Sequence, residues 1–349
     1  MKAVVYRGKG DLRVEDVEVP APGPGEMLVR VDACGICPTD LKKIEKGLLA
    51  GPRIFGHEIA GTVAALGQQT RAFREGDRVV VHHHVPCGDC FYCARQLHAQ
   101  CPLYKQNLTT AGFEPSGGGY SEYVLAREPV VARGVIPIPK GVLACEAAFV
   151  EPVNTCLKAV RKARVAKGES VLVVGQGPIG LLLMQIARAD GGELIVSDML
   201  AERLACARSL GAGLALDAAG DVVGETLSHT EGRGADCALV AAPGQRAFDQ
   251  ALAATRPGGR IVSFAATSPG ETVELDLGRL TPLEKDVLTA YSSSTDLQQE
   301  AAELVFSRRV RVAELVTHRL PVARGLEAFA LATSHAPGTL KVMLSAETA

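Results

Sequence analysis

The 349-residue chain has no basic run, no low-complexity stretch, no internal repeat and no flexible linker. Its 37 Lys and Arg stand against 39 Asp and Glu, a net charge of −2. Neither nucleic acid nor a membrane surface is therefore an expected partner. The opening MKAVVYRGKGDLRVED is charged throughout and lacks the apolar centre of a signal peptide. The longest apolar stretch, near IGLLLMQIA, is far short of the roughly 20 residues that span a bilayer. The expected location is cytoplasmic. With 47% hydrophobic and 22% charged residues the chain is of globular composition, not disordered. Its length suggests two domains, large enough to need no disulfide staples.

Against these absences stand ten cysteines. In an unsecreted chain they are expected as thiols. Four of them cluster as Cys87-x2-Cys90-x2-Cys93-x7-Cys101 within PCGDCFYCARQLHAQC. Four thiolates this close can surround one ion tetrahedrally, and a site closed by four thiolates has no open position. It is expected to hold structural zinc. His98, inside this loop, reads as a solvated or capping residue. Cys145, Cys156, Cys206 and Cys237 read as small core residues.

Residues 1 to about 150 carry short β-like runs such as MLVRVDAC and DRVVVHHH, separated by turn signals such as APGPG. They read as a mainly β domain. From about residue 154 strands and helices alternate: SVLVVG, PIGLLLMQIARADGG, ELIVSD, AERLACARSLGA, LALD, DVVGETLSHTEG, ADCALVAA, GQRAFDQALAATRPGG and RIVSFAA. This alternation predicts an α/β, doubly wound parallel sheet. Residues 284–308 read as helical, and the tail as one helix with two short strands that return to the first domain. The expected division is residues 1–153, completed by 291–349, and residues 154–290.

After the strand SVLVV comes Gly175-Gln176-Gly177-Pro178-Ile179-Gly180, a GxGxxG that opens a helix. Gly175 makes the tight turn, Gly177 lets the backbone approach a pyrophosphate at the helix's positive end, and Gly180 allows close helix–strand packing. Asp198, 18 residues after Gly180, can accept hydrogen bonds from the ribose hydroxyls. It repels a 2′-phosphate, which favours NAD over NADP. Arg203 can flank the ribose and leaves some room for NADP. As a structural feature only, Asp198 is a cap for the helix near Ala201.

Three further pieces, GICPTD, GHE and VEP, carry four potential metal ligands: Cys37, His57, Glu58 and Glu151. Spacing alone does not bring them together. Singly, Cys37 reads as a core thiol, His57 as a satisfied histidine and Glu151 as a helix N-terminal acid before Pro152.

GHEIAGTVAALG matches the GHExxGxxxxxG signature of the zinc-containing medium-chain alcohol dehydrogenases. GICPTD resembles their first ligand loop, and the four cysteines resemble their structural zinc lobe. GDRV at 76–79, GGGYSEYV at 117–124 and GQGPIG are also similar to family segments, in family order along the whole chain. The resemblance implies a GroES-like catalytic domain with a Rossmann domain, two zincs per chain and NAD. It implies a catalytic zinc held by Cys37 and His57, with Glu151 at the third protein ligand's place. Glu followed by Pro there looks like the polyol (sorbitol-like) and threonine dehydrogenase branches. Glu58 either ligates or sits next to the ion. Asp40 is implied as the acceptor for the His57 ring N–H, and Thr39 as the inner hydroxyl of a proton relay. Where many members carry a histidine, this chain has Lys42, so Lys42, a ribose hydroxyl or water is left as the outer step.

The implied reaction is oxidation of a secondary alcohol (polyol, sugar alcohol or amino alcohol) by hydride transfer to NAD, in a homo-oligomer, tetramer or dimer. Alternatives are a zinc-independent quinone or enoyl reductase on the same scaffold and a non-enzymatic zinc-binding module. The first has no need of Cys37, His57 and Glu151 together, and the second predicts no nicotinamide binding. His82, His83 and His84 read mainly as a surface strand end, with one as a possible substrate contact. Phe113 reads as packing or as a residue beside the substrate. Lys341 reads as a solvated side chain or a reach toward the cofactor pyrophosphate.

Overall fold

The computed structural model describes residues 1–104, 106, 108–113, 116–265, 270–334 and 336–346. The chain forms two compact units. One is Met1–Asn154 with Ser294–Arg308 and the segment from Val312 onward; the other is Thr155–Ser293 with Arg309–Arg311.

In the first unit, the strands Lys2–Gly8 and Asp11–Asp16 form an antiparallel pair. A seven-stranded sheet carries the core. Its order is Val316–Pro321, Lys341–Ser345, Met27–Gly35, Glu58–Leu66, Arg78–His82 and Val135–Pro137, with Tyr123–Ala126 also pairing to Met27–Gly35. The inward residues of these strands, among them Val29, Val31, Ile59, Val79 and Val81, are almost fully buried with Tyr6, Phe55 and Tyr120. Each such aliphatic side chain contributes roughly 1.5–3 kcal/mol on burial.

The register of this sheet places the chemistry. Gly35 pairs with Glu58 on one side and with Met343 on the other, and Glu58 pairs with His82. Two strands therefore end, and one begins, along a single row. The loops that leave this row carry Cys37, His57 and the histidine triplet.

The second unit holds six parallel strands: Ser170–Val174, Glu193–Asp198, Leu214–Asp217, Ala235–Val240, Thr255–Ser263 and Asp286–Thr289. Numbered in that sequence, their spatial order is 3-2-1-4-5-6. This is the doubly wound arrangement, whose ligand crevice lies where strand order reverses, beside the first strand's carboxyl end. Ser170–Val174 is buried on both faces, as a central parallel strand requires. The helix Pro178–Ala189 buries Leu181 to Ala187 without interruption.

Two expectations change. Residues 284–308 are not all helical: Asp286–Thr289 is the sheet's edge strand, and the helix begins at Gln298. The four residues of that strand are mostly exposed, so no buried face marks it in sequence. Thr255–Gly259 extends the fifth strand instead of ending the helix Gln245–Ala254. Pairing with the fourth strand, through a register shift between Ala235 and Cys237, decides this. Among the described residues no helix is long and apolar enough to cross a membrane.

Candidate metal centres and dinucleotide loop

Cys37 sits at the N-cap of the helix Pro38–Lys46, with Pro38 fixing the first turn. Ligand atoms of Cys37, His57 and Glu58 lie within 4.8 Å of one another. Asp40, on the helix's first turn and fully buried, lies 3.0 Å from His57 Nδ1 through Oδ2. The same oxygen accepts from Gly56 N–H and from the Tyr120 hydroxyl, each at 3.2 Å, and Oδ1 accepts from Lys43 Nζ at 3.1 Å. Burial opposes the Asp40 charge, but His57 and Lys43 outweigh it and hold the carboxyl below its usual range. With Nδ1 held, Nε2 is the nitrogen left for a metal. The Cys37 backbone N–H donates to the Tyr120 oxygen at 3.1 Å, tying the cap to the same network.

A thiolate, an imidazole nitrogen and a carboxylate this close suit a tetrahedral ion with one open position. That donor set fits zinc. Glu151 lies in the first turn of the helix Val150–Ala163 and is buried, but it is not within the 4.8 Å group. The geometry thus gathers Glu58 with Cys37 and His57, while Glu151 acts electrostatically on Lys341, the partner of Glu58. Thr39 is half-buried on the Cys37 helix, and Lys42 is one turn further along the same face.

The histidine triplet is not a surface strand end. His82 and His84 are 2% and 5% exposed. Burial pushes the His82 pKa down to about 4. The His83 ring lies 4.8 Å from that of His57, centre to centre, and its buried Nδ1 has no hydrogen-bond partner among the described residues. Phe113 packs against the core beneath Arg7, which supports its packing role. Residues 114–115 of the same segment lie outside the described residues.

Lys341 is 4% exposed and so is not a solvated side chain. Its Nζ donates to Glu58 Oε1 at 2.6 Å and to the Ile36 carbonyl at 3.1 Å. Burial disfavours its charge, but Glu58, Cys37 and Glu151 together raise its pKa above the ordinary value. Sequence reading singled out Lys341 but not its pairing with Glu58, and it missed Tyr120. For Tyr120 the GGGYSEYV segment was the available signal; for Lys341 none was local.

The four-cysteine lobe is assembled as spacing predicts. Its sulfur atoms approach at 3.5 Å (Cys90–Cys93 and Cys87–Cys101) and 3.8 Å (Cys87–Cys93). A tetrahedron of sulfurs about 2.3 Å from zinc has edges of about 3.8 Å. None of the ten cysteines forms a disulfide. His98 Nδ1 meets Ser294 Oγ at 3.1 Å and Asp296 Oδ1 at 3.0 Å.

In the second unit, Gly175-Gln176-Gly177 turns from the first strand into the helix that begins at Pro178. A Cβ on Gly180 would lie 1.7 Å from the Gly175 carbonyl oxygen, so only glycine permits this helix–strand contact. Ile179 follows Pro178 in the first turn. Asp198 Oδ2 accepts from Gln176 N–H at 2.6 Å, and Oδ1 accepts from Leu200 N–H at 2.8 Å. The carboxylate thus braces the loop as well as the next turn, with lone pairs remaining. Arg203 Nη1 is 4.0 Å from Asp198 Oδ2 and is the nearest side-chain atom to the Gly177 Cβ direction, at 3.8 Å.

Comparison with known proteins reads this combination directly. Residues 23–140 match the family model "Alcohol dehydrogenase GroES-like domain", and residues 178–307 match "Zinc-binding dehydrogenase". Sorbitol dehydrogenase of Homo sapiens is 31% identical over 94% of this chain and 91% of its own length. The chain belongs to the zinc-containing medium-chain alcohol dehydrogenases. L-threonine 3-dehydrogenase of Pyrococcus furiosus is 32% identical over 87% of this chain and 86% of its own length. The family branch is thus that of the polyol and threonine enzymes. A Sinorhizobium meliloti 1021 structure, titled as a zinc-binding dehydrogenase bound to NADP, is similar with a TM-score of 0.87. It is 29% identical, covering 99% of this chain and 98% of that one. Like its family, the chain is an oxidoreductase, which removes the non-enzymatic module as an alternative.

Proposed function

We propose that this chain oxidises a secondary alcohol, a polyol, sugar alcohol or amino alcohol, with NAD as hydride acceptor. The observation that carries this reading is the Cys37, His57 and Glu58 donor set within 4.8 Å, its histidine oriented by Asp40. A zinc-independent reductase has no use for such a set. Cys37, His57 and Glu58 would hold a zinc there, which would supply a Lewis acid for the substrate hydroxyl. NAD supplies the hydride acceptor. Asp40 fixes the His57 tautomer, and Thr39 takes the hydroxyl proton and passes it outward toward Lys42, a ribose hydroxyl or water. Glu58 is the third protein ligand, and Glu151 adds negative charge that acts on Lys341. His83, beside His57, meets a second polar group of the substrate. Cys87, Cys90, Cys93 and Cys101 hold a structural zinc.

In this reading residues 1–153 with 291–349 form the catalytic domain, and residues 154–290 bind the cofactor. Gly175, Gly177, Pro178, Ile179 and Gly180 present the helix N-terminus to the pyrophosphate, with Arg203 beside it. Asp198 accepts from the ribose hydroxyls and repels a 2′-phosphate. Asp198→Ala should therefore raise the NADP to NAD ratio of kcat/KM by at least about 10-fold. An unchanged ratio in steady-state assays would remove Asp198 from cofactor choice.

The location proposed is the cytoplasm, where the thiols stay reduced. The proposed assembly is a homo-oligomer, dimer or tetramer. The strand Asp286–Thr289 ends its sheet, and Val287 within it and Tyr291 just after it are exposed. Light scattering should give a dimer or tetramer, and Val287→Lys should reduce its size. A monomeric wild-type chain at micromolar concentration would refute this.

The deciding experiment follows NADH absorbance with polyols, simple secondary alcohols and threonine, with and without chelator. Chelator-sensitive NADH formation with at least one alcohol is expected. Reduction of quinones or enoyl compounds unaffected by chelator would favour the reductase instead.

A further inference from the structure

We propose that Lys341 is a positioning residue that limits how strongly Glu58 holds a cation beside Cys37 and His57. This rests on reading those three residues as a metal site. The arrangement is set by the sheet. Gly35 lies between Glu58 on one neighbouring strand and the C-terminal strand, Lys341–Ser345, on the other. The Lys341 and Glu58 side chains meet over Gly35. A Cβ there would lie 2.0 Å from Glu58 Oε2 and 2.6 Å from Lys341 Cε. The strand thus keeps a glycine at the point where the ion pair needs room.

Lys341 Nζ is 2.6 Å from both Glu58 oxygens, but only Oε1 has hydrogen-bond geometry. Its other bond goes to the Ile36 carbonyl, one residue before Cys37. The Phe149 ring, 6.0 Å away, covers the same ammonium. Both side chains of the pair are at most 5% exposed, so water does not screen it.

A buried ammonium costs solvation that a hydrophobic residue would not. Here it faces the carboxylate that a metal also needs. Glu58 must then divide its charge: Oε1 is bonded to Lys341, and Oε2 remains for the cation. An ammonium at this distance also repels a divalent ion. Both effects weaken the metal's hold on Glu58 and keep a coordination position exchangeable. Removing the ammonium should give the whole carboxylate to the metal.

The test uses the full chain with Lys341→Met, Lys341→Gln and Lys341→Arg, and the double variant Glu58→Gln, Lys341→Met. Zinc affinity is measured by competition with a chromophoric chelator, and the ligand field by visible absorption after cobalt(II) replacement. Lys341→Met and Lys341→Gln should bind zinc at least about 10-fold more tightly than wild type. Their cobalt spectra should change, and metal should raise their Tm by more than it raises the wild-type Tm. Lys341→Arg should resemble wild type, and the double variant should lose the gain. Lys341→Gln retains a donor for Ile36, so it keeps the test available if the methionine variant folds poorly. Equal or weaker zinc binding by the neutral variants, with unchanged cobalt spectra, overturns the proposal. A wild-type chain that binds zinc only in the four-cysteine lobe overturns the metal-site reading itself, a separate outcome seen in the zinc count.

Discussion

Thr39→Val should lower kcat by about 10²–10⁴-fold while both zinc sites stay filled. Valine matches threonine in shape and is β-branched like it, so the helix Pro38–Lys46 should be undisturbed. The change removes one hydroxyl, two residues beyond Cys37 and half-buried. If that hydroxyl carries the alcohol proton away, its loss leaves the proton without a short path. Substrate binding through other groups should survive, so KM should change much less than kcat. Thr39→Ser restores the hydroxyl and should restore most of the rate. Lys42 lies on the same helix face, three residues on, where a following proton step can take place. Its replacement should alter the pH profile more than the maximal rate, because water can substitute at an outer position. Full turnover by Thr39→Val in pre-steady-state and steady-state assays would dismiss the hydroxyl from the reaction.

Cys93→Ser should cost the chain one zinc and the order of its lobe, without preventing NADH binding. Residues 87–104 have almost no apolar interior of their own. Tyr104 is the one large buried side chain, packed with Cys93 and Cys101. Phe91, Leu97 and Leu103 are exposed, and the regular structure is two three-residue turns, Cys93–Arg95 and His98–Gln100. A segment so built cannot offset its conformational entropy by hydrophobic burial, so a four-thiolate ion must hold it. The contacts of His98 with Ser294 and Asp296 then have no fixed lobe to start from. The Tm should fall on the order of 10 °C, and limited proteolysis should cut between 88 and 103. Mass spectrometry of the variant should show one zinc fewer than wild type. An unchanged zinc count with an intact lobe would rule out a structural metal there.

Much of this molecule could be read from its residues because the relevant contacts are local. The second unit's strands and helices follow from hydrophobic periods within single segments. The GxGxxG turn and the four cysteines lie within 6 and 15 residues. Asp40 was legible through the resemblance of GICPTD to the family's first ligand loop. What was misread depended on pairing between distant segments. The histidine triplet looked exposed because it ends a strand, yet the sheet brings that end against Glu58. Asp286–Thr289 lacks a buried face, and its neighbour makes it a strand. The resemblance put Glu151 at the third ligand's place and left Glu58 as a ligand or a neighbour of the ion; only the folded row of strands brings Glu58 beside Cys37 and His57.

The C-terminal strand that supplies Lys341 has a consequence for biosynthesis. Lys341 bonds to partners 283 and 305 residues earlier in the chain. At about 5–20 residues per second, a ribosome takes roughly 15–60 s to cover the interval after Glu58 is made. During that time Cys37, His57 and Glu58 exist without the strand that flanks Gly35. A nascent chain that captures metal early would do so with Glu58 unrestrained. Completion of synthesis would then loosen an ion already held, so the order of metal loading and translation becomes part of how the site matures.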